Sequence, residues 1–226
     1  PRTGASETHY DAHGRVDYVK DAAGNQTSFA YEPSTGRKTR ETNALGKHSY
    51  FAYDPRGQLT RTWGDVPYPV QYDYDAYGRR AQMSTYREDA GWSSETWPEA
   101  AHGDATRWHY EEPTGLLASK QDAAGKAVTY TYGPAGRLAT RTWARQKAGG
   151  GPLRTSYAYD PATGELIGVD YNDDTPDVSY AYDRLGRQAE VTDAVGTRVF
   201  AYNPQTLQQE TETIAGLTPA TLKRYY

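Results

Sequence analysis

The stretch YDAHGR at Tyr10–Arg15 returns as YDPRGQ at Tyr53–Gln58, YDAYGR at Tyr74–Arg79 and YDRLGR at Tyr182–Arg187. An Asp that opens a turn accepts hydrogen bonds from the backbone just ahead of it, and a Gly near the end supplies a positive φ at no steric cost. A turn repeated this often, each time led by a tyrosine, marks an internal repeat, and the repeat decides the architecture.

With the tyrosine as origin, units begin at Tyr10, Tyr31, Tyr53, Tyr74, Tyr110, Tyr132, Tyr159, Tyr182 and Tyr202, spaced by 21, 22, 21, 36, 22, 27, 23 and 20 residues. Nine units therefore cover nearly everything from Thr8 onward. This reading gives a single array over residues 1–226, with insertions near 87–108 and 144–153 and no separate effector or core domain. The motif residues expected to be structural are Asp11 and Gly14, Asp54 and Gly57, Asp75 and Gly78, Gly136, Asp160 and Gly164, and Asp183 and Gly186, with the nine tyrosines. YEPSTGR at Tyr31 and YDPATGE at Tyr159 are forms one residue longer.

Each unit also carries a second turn of the same chemistry without the tyrosine: DAAG at Asp21, NALG at Asn43, DAAG at Asp122 and DAVG at Asp193. The segments between turns are of strand length and too short for helices. An aromatic stands two places before the motif tyrosine in every unit but the first, where Thr8 takes the position: Phe29, Phe51, Tyr72, Trp108, Tyr130, Tyr157, Tyr180 and Phe200. Positions two apart share a face of a strand, so the pattern predicts paired aromatic rows on one side of a sheet. Returning strands such as RKTRETN from Arg37 are polar on both sides, which predicts that one surface meets a wet space. The expected fold is all-β: a long antiparallel meander of about 18 strands that must curl, because open twisted sheets rarely exceed about 10 strands.

Composition agrees with a fold built on tyrosine. Leu, Ile, Val and Phe number only 26 of 226 residues and mean hydropathy is −0.92, values that on their own point to disorder. Against that stand 21 Tyr, five Trp and a net charge of only −4. There is no cysteine, hence no thiolate chemistry and no disulfide framework. No apolar run approaches the length of a membrane helix. Interspersed charge and a pI near 5.8 offer no basic stripe for nucleic acid.

The Tyr-Asp-x-x-Gly-Arg signature in units of this length resembles the Rhs/YD-repeat family, which includes bacterial Rhs polymorphic toxins, shell subunits of insecticidal Tc toxins and the animal teneurins. The resemblance implies repeats that wind a sheet into a hollow β-shell, and in the toxin members a shell that encloses a C-terminal polypeptide. It implies an encapsulation module rather than an enzyme, carried within a larger secreted or surface-displayed bacterial protein, its partner being the enclosed C-terminal polypeptide. The pattern departs at Glu32, Glu111, Gly133 and Asn203, which replace the motif Asp, and at Leu207, which stands where a closing Gly is expected. No match is seen to the family's core segment after the repeats.

Candidate chemistry is sparse. Asp/Arg pairs such as Asp11 with Arg15 suggest an acid and a cation at work, but a catalytic constellation is assembled once, whereas a cross-turn ion pair is needed in every unit. A glycoside hydrolase needs two carboxylates at a defined separation, and nothing singles out a pair. Asp170, Asn172 and Asp174 open like a calcium loop, yet Thr175 replaces its Gly and Ala181 its bidentate Glu, so a polar hairpin between Val169 and Val178 is expected. His9, His13, His48, His102 and His109 have no metal-ligand spacing. No catalytic, metal or cofactor residue is therefore assigned. Trp92 and Trp97, in the polar insertion of the fourth unit, are candidate ligand-binding residues for a carbohydrate or cell-surface receptor, with packing against the sheet as the competing reading. ARQKAGGGPL at Ala144–Leu153 reads as a flexible loop. Terminal strands left with open edges predict self-association.

Overall fold

The computed structural model describes residues 4–87, 91–98, 103–217 and 219–225. The chain is all-β: nineteen strands in antiparallel pairings that do not close, with no helix among the described residues. In order they are β1 Glu7–Tyr10, β2 Val16–Lys20, β3 Gln26–Tyr31, β4 Lys38–Thr42, β5 His48–Tyr53, β6 Leu59–Gly64, β7 Val70–Tyr74, β8 Arg80–Thr85, β9 Asp104–Tyr110 and β10 Leu117–Gln121. There follow β11 Ala127–Tyr132, β12 Leu138–Gln146, β13 Pro152–Tyr159, β14 Leu166–Tyr171, β15 Val178–Tyr182, β16 Gln188–Asp193, β17 Gly196–Tyr202, β18 Gln209–Gly216 and β19 Ala220–Lys223.

Two compact units divide the chain, one of residues 1–109 with 121–125, the other of residues 110–120 with 126–226. In the first, β1 to β9 form an up-and-down meander in which every strand pairs with the next. In the second, β11 to β19 repeat the plan.

One irregularity recurs. The register shifts at Tyr10, Tyr31, Tyr53 and Tyr74 in the first unit and at Tyr132, Tyr159, Tyr182 and Tyr202 in the second. Tyr10 pairs with Val16 while His9 pairs with Tyr18, so Asp17 is the extra residue. Such a bulge bends its strand and increases the local twist. The motif tyrosine thus marks a bulged hairpin as well as a turn.

The rows expected from the sequence are present on one face. In the second unit this face holds Leu153, Thr155, Val169 and Val191, all buried, beside half-buried Tyr157 and Tyr180. The opposite face is short and polar, with cross-strand hydroxyl pairs Thr131–Thr140 and Thr192–Thr197 at 2.7 and 3.0 Å.

Two loops differ from expectation. Half of ARQKAGGGPL is strand: β12 runs to Gln146, β13 starts at Pro152, and only residues 147–151 form the loop, in which Gly149, Gly150 and Gly151 close the hairpin with φ of 83°, 90° and 84°. Burial of Leu153 extends the ladder where loop was expected. At Asp193 the second turn shortens to a two-residue hairpin, with Asp193 paired to Gly196. Gly196 lies so close to the next strand that a Cβ there would sit 2.1 Å from the Ala215 carbonyl oxygen. Pairing continues one step further than in the other second turns.

Candidate functional site

The repeat turn recurs along the chain, and three copies match bond for bond. In the first, Asp11 Oδ1 accepts the N–H groups of His13 and Arg15 at 2.8 and 2.9 Å, while Arg15 Nε donates to Asp11 Oδ2 at 2.7 Å. Asp75 does the same with Tyr77 and Arg79 at 2.9, 2.9 and 2.7 Å. Asp183 does so with Leu185 and Arg187 at 2.8, 3.0 and 2.7 Å. The closing glycines 14, 57, 78, 136, 164 and 186 take φ between 70° and 90°. In the last unit Leu207 adopts the same left-handed region at 64°.

These contacts set the electrostatics. The side-chain hydrogen bond from Arg187, with its backbone N–H, that of Leu185 and the cation's charge, holds the Asp183 carboxyl below the usual range. At Asp11 the backbone N–H of Arg15 contributes most, joined by its guanidinium. Around Asp75 burial pushes the carboxyl up, but hydrogen bonds from Arg79 and Tyr77 outweigh it. An Asp that accepts three hydrogen bonds from its own turn acts as a strut that holds the turn closed.

The variant turns keep the frame. Asp54 accepts Gln58 N–H at 2.8 Å, and Asp160 accepts those of Ala162 and Thr163 at 2.8 and 2.9 Å. Asn203 accepts Gln205 and Thr206 N–H, both at 2.8 Å. Glu111 turns instead to Thr114 Oγ1 at 2.7 Å. Gly133 offers no acceptor side chain at all, though its backbone closes the same turn with Arg137 at 2.8 Å.

What the sequence did not reveal is how one turn holds the next. Tyr31 Oη donates to the Val16 carbonyl at 2.7 Å, Tyr74 to Leu59 at 2.8 Å and Tyr132 to Leu117 at 2.9 Å. Tyr182 donates to Leu166 at 2.8 Å and Tyr202 to Gln188 at 2.7 Å. Each acceptor is the first residue after the preceding repeat turn. Guanidiniums of arginines that end a preceding turn lie over motif rings: Arg15 on Tyr31 at 4.6 Å and Arg187 on Tyr202 at 4.1 Å, both tied rings, and Arg37 on Tyr53 at 5.9 Å and Arg137 on Tyr159 at 5.2 Å. Hydroxyl and ring face are both used at Tyr31 and Tyr202, and the hydroxyl tie, made at five motif positions, is one that phenylalanine could not make. The signal was present in the nearly constant separation of 14 to 16 residues between donor and acceptor.

The tryptophans of the insertion are turned inward. Trp92 is only 8% exposed and joins Tyr50 and Trp63 in a buried cluster, with Ala52, Tyr86 and Trp97 packed against it. Trp97 meets Trp63 and Trp92 edge-on at 5.4 and 4.9 Å. Arg61 lies over Trp97 at 4.9 Å, and Trp63 Nε1 donates to the Ser94 carbonyl at 2.9 Å. Trp92 is thus buried and Trp97 half-buried against Tyr50 and Trp63, the apolar surface that this sheet face offers them. Residues 88–90 and 99–102 of the insertion, His102 among them, lie outside the described residues.

Of the other singled-out groups, Asn172 Oδ1 accepts Arg154 N–H of the neighbouring β13 at 2.8 Å, and Asp173 accepts Thr175 N–H at 3.1 Å within the hairpin loop between β14 and β15. His9 pairs with Asp17 at 3.1 Å and stacks on Tyr18, and His48 meets Thr42 Oγ1 at 3.0 Å. No group of three potential metal ligands occurs among the described residues.

Comparison with known proteins agrees with this geometry. Residues 110–147 match the RHS Repeat family. Double-stranded DNA deaminase toxin A of Burkholderia cenocepacia (strain H111) is 31% identical over 165 residues, 73% of this chain and 10% of that protein. Among solved structures, TcdB2-TccC3 without its hypervariable C-terminal region has a TM-score of 0.57 at 18% identity, over 93% of this chain and 13% of that one. The Photorhabdus luminescens Tc holotoxin pore gives 0.56 at 18% identity with the same coverage. At that identity the likeness is one of fold. The chain spans about a tenth of the length of these relatives.

Proposed function

Since the chain belongs to the Rhs/YD-repeat family, we propose that it is a segment of shell wall which, in a longer secreted or surface-displayed bacterial protein, encloses a C-terminal toxin or effector polypeptide. Its role is structural and steric, and the repeat motif is wall material with no catalytic duty. The observation that carries this reading is the tie between turns: tyrosine hydroxyls at Tyr31, Tyr74, Tyr132, Tyr182 and Tyr202 each bonded to the preceding hairpin. A wall confining an unfolded chain must resist pressure along the direction in which hairpins add, and hydroxyl ties reinforce that direction beyond the backbone ladder. Bulges at the motif tyrosines supply the local bend a curved wall needs.

The test uses the full-length parent. Limited proteolysis should leave the C-terminal segment intact while these repeats are present, and parents carrying Tyr→Phe changes at all five tie positions should expose it at lower urea concentration. A C-terminal segment digested equally fast with native and with denatured repeats would overturn the assignment.

A further inference from the structure

Two guanidiniums share one indole in the second unit. Arg141 lies 3.5 Å from the ring centroid of Trp143 and Arg145 lies 5.5 Å from it. The indole is itself fixed, since its Nε1 donates to Thr155 Oγ1 at 3.1 Å and Thr155 is only 3% exposed. Pairing sets Arg141 opposite Tyr130 on one flank and Thr155 on the other, so its backbone is held on both sides.

The site has cations and a platform but no anion. Arg15, Lys38 and Arg187 also lie over aromatic rings, at 4.6, 4.4 and 4.1 Å. Each of those holds a carboxylate as well, Asp11 at 2.7 Å, Glu41 at 2.7 Å and Asp183 at 2.6 Å. Among the described residues neither Arg141 nor Arg145 has such a partner, and Arg141 Nε is shut off from solvent with no acceptor. Arg145 does act at longer range on Asp173, whose carboxyl is held low first by hydrogen bonds from Thr175 and last by that cation. Arg141 is left without a counter-charge in a chain whose net charge is −4.

We propose that Arg141, stacked on Trp143 with Arg145 at the rim, is an oxyanion site that takes the carboxylate of an Asp or Glu side chain on a polypeptide lying along this face. The planar guanidinium matches a carboxylate with two parallel hydrogen bonds. One full cation, with a second already shared with Asp173, suits a single negative charge better than the double charge of a phosphate. The surrounding rings of Tyr130 and Tyr157 favour an anion borne on a partly apolar chain over a free ion. The choice of a polypeptide as carrier rests on the encapsulation reading; the carboxylate chemistry does not.

The experiment follows the indole N–H resonance of Trp143 in the 15N-labelled chain, titrated separately with a capped Glu-Gly-Glu-Gly peptide, sodium acetate and inorganic phosphate at matched ionic strength. The peptide should shift that resonance saturably, acetate should shift it in the same direction with weaker affinity, and phosphate should bind no better than acetate. Arg141→Gln should weaken peptide binding about tenfold, whereas Arg154→Gln on the opposite face should leave it unchanged. Arg145→Gln, at an exposed position, should weaken it a few-fold and provides the test should Arg141→Gln fail to fold. Absence of a saturable shift, affinity unchanged in both arginine variants, or phosphate binding tighter than the peptide would each overturn the site. Because the titration needs no parent protein, loss of encapsulation with peptide binding intact would sink the shell reading alone.

Discussion

Gly133 stands where Asp11, Asp75 and Asp183 stand in their own turns, and it leaves Arg137 with no carboxylate across the turn. Its backbone already closes the turn, its φ is unexceptional, and a Cβ placed there would meet nothing closer than 3.9 Å. Gly133→Asp should therefore install the missing acceptor for the N–H groups of Ala135 and Arg137 and tie down the guanidinium. A rise in Tm of about 2 °C is expected by calorimetry, helped by the lower entropy of the unfolded chain. The aspartates already in place set the acid response. Carboxyls of Asp11, Asp75, Asp160 and Asp183 sit below the ordinary value in the folded chain and return to it on unfolding. Their contribution is complete above the unfolded value and is lost as pH falls through the folded ones. Urea midpoints should be level near neutrality and decline from about pH 5 downward, and the decline should shrink in an Asp75→Asn, Asp183→Asn double variant. A midpoint that rises on acidification would contradict the assignment of these groups.

At the scale of the element, the hairpin is the cooperative piece and the tyrosine tie its outermost fastening. Tyr132→Phe keeps the ring but loses the bond to Leu117, and should cost about 1 kcal/mol by urea denaturation. Tyr74→Phe should cost a similar amount, and because its tie to Leu59 lies in the other unit the two losses should add. The insertion answers to different physics. Trp92 fills a buried site against Tyr86 and Trp97, so Trp92→Ala should cost about 3 kcal/mol and leave Trp63 and Trp97 more exposed to solvent, seen as a red shift of their fluorescence. Turns and strands were legible in the sequence because they rest on local chemistry: Asp at the opening, Gly at the close, aromatics two apart. The buried cluster was not, since Tyr50 and Trp63 become neighbours only through the register of β5 on β6, and no local pattern announces register. The turn at Asp193 is where the sequence put it, but its length was not legible, for a related reason. Its letters match the other second turns, while its length follows from the close approach of Gly196 to β18.

For the molecule as a whole, the consequence of an unclosed sheet lies at its outer strands. All four residues of β1 and all four of β19 are exposed, and β19 pairs only with β18 among the described pairings. Arg224 N–H donates to the Glu210 carbonyl at 2.9 Å. In an antiparallel ladder the inward donors alternate, so those of Ala220 and Leu222 face β18 and that of Thr221 faces outward. An outward row of unpaired N–H and C=O groups is a template for another chain. The chain should therefore associate with rising concentration, seen in sedimentation velocity as growth of a species of twice the monomer mass. Thr221→Pro removes an outward donor without touching the ladder and should weaken that association with little change in Tm. Leu222→Pro breaks an inward bond and should instead detach β19, which would leave β18 as the new edge and the association largely intact. A chain that stays monomeric at millimolar concentration, or associates equally well as the Thr221→Pro variant, would mean that β19 is not the strand through which copies meet.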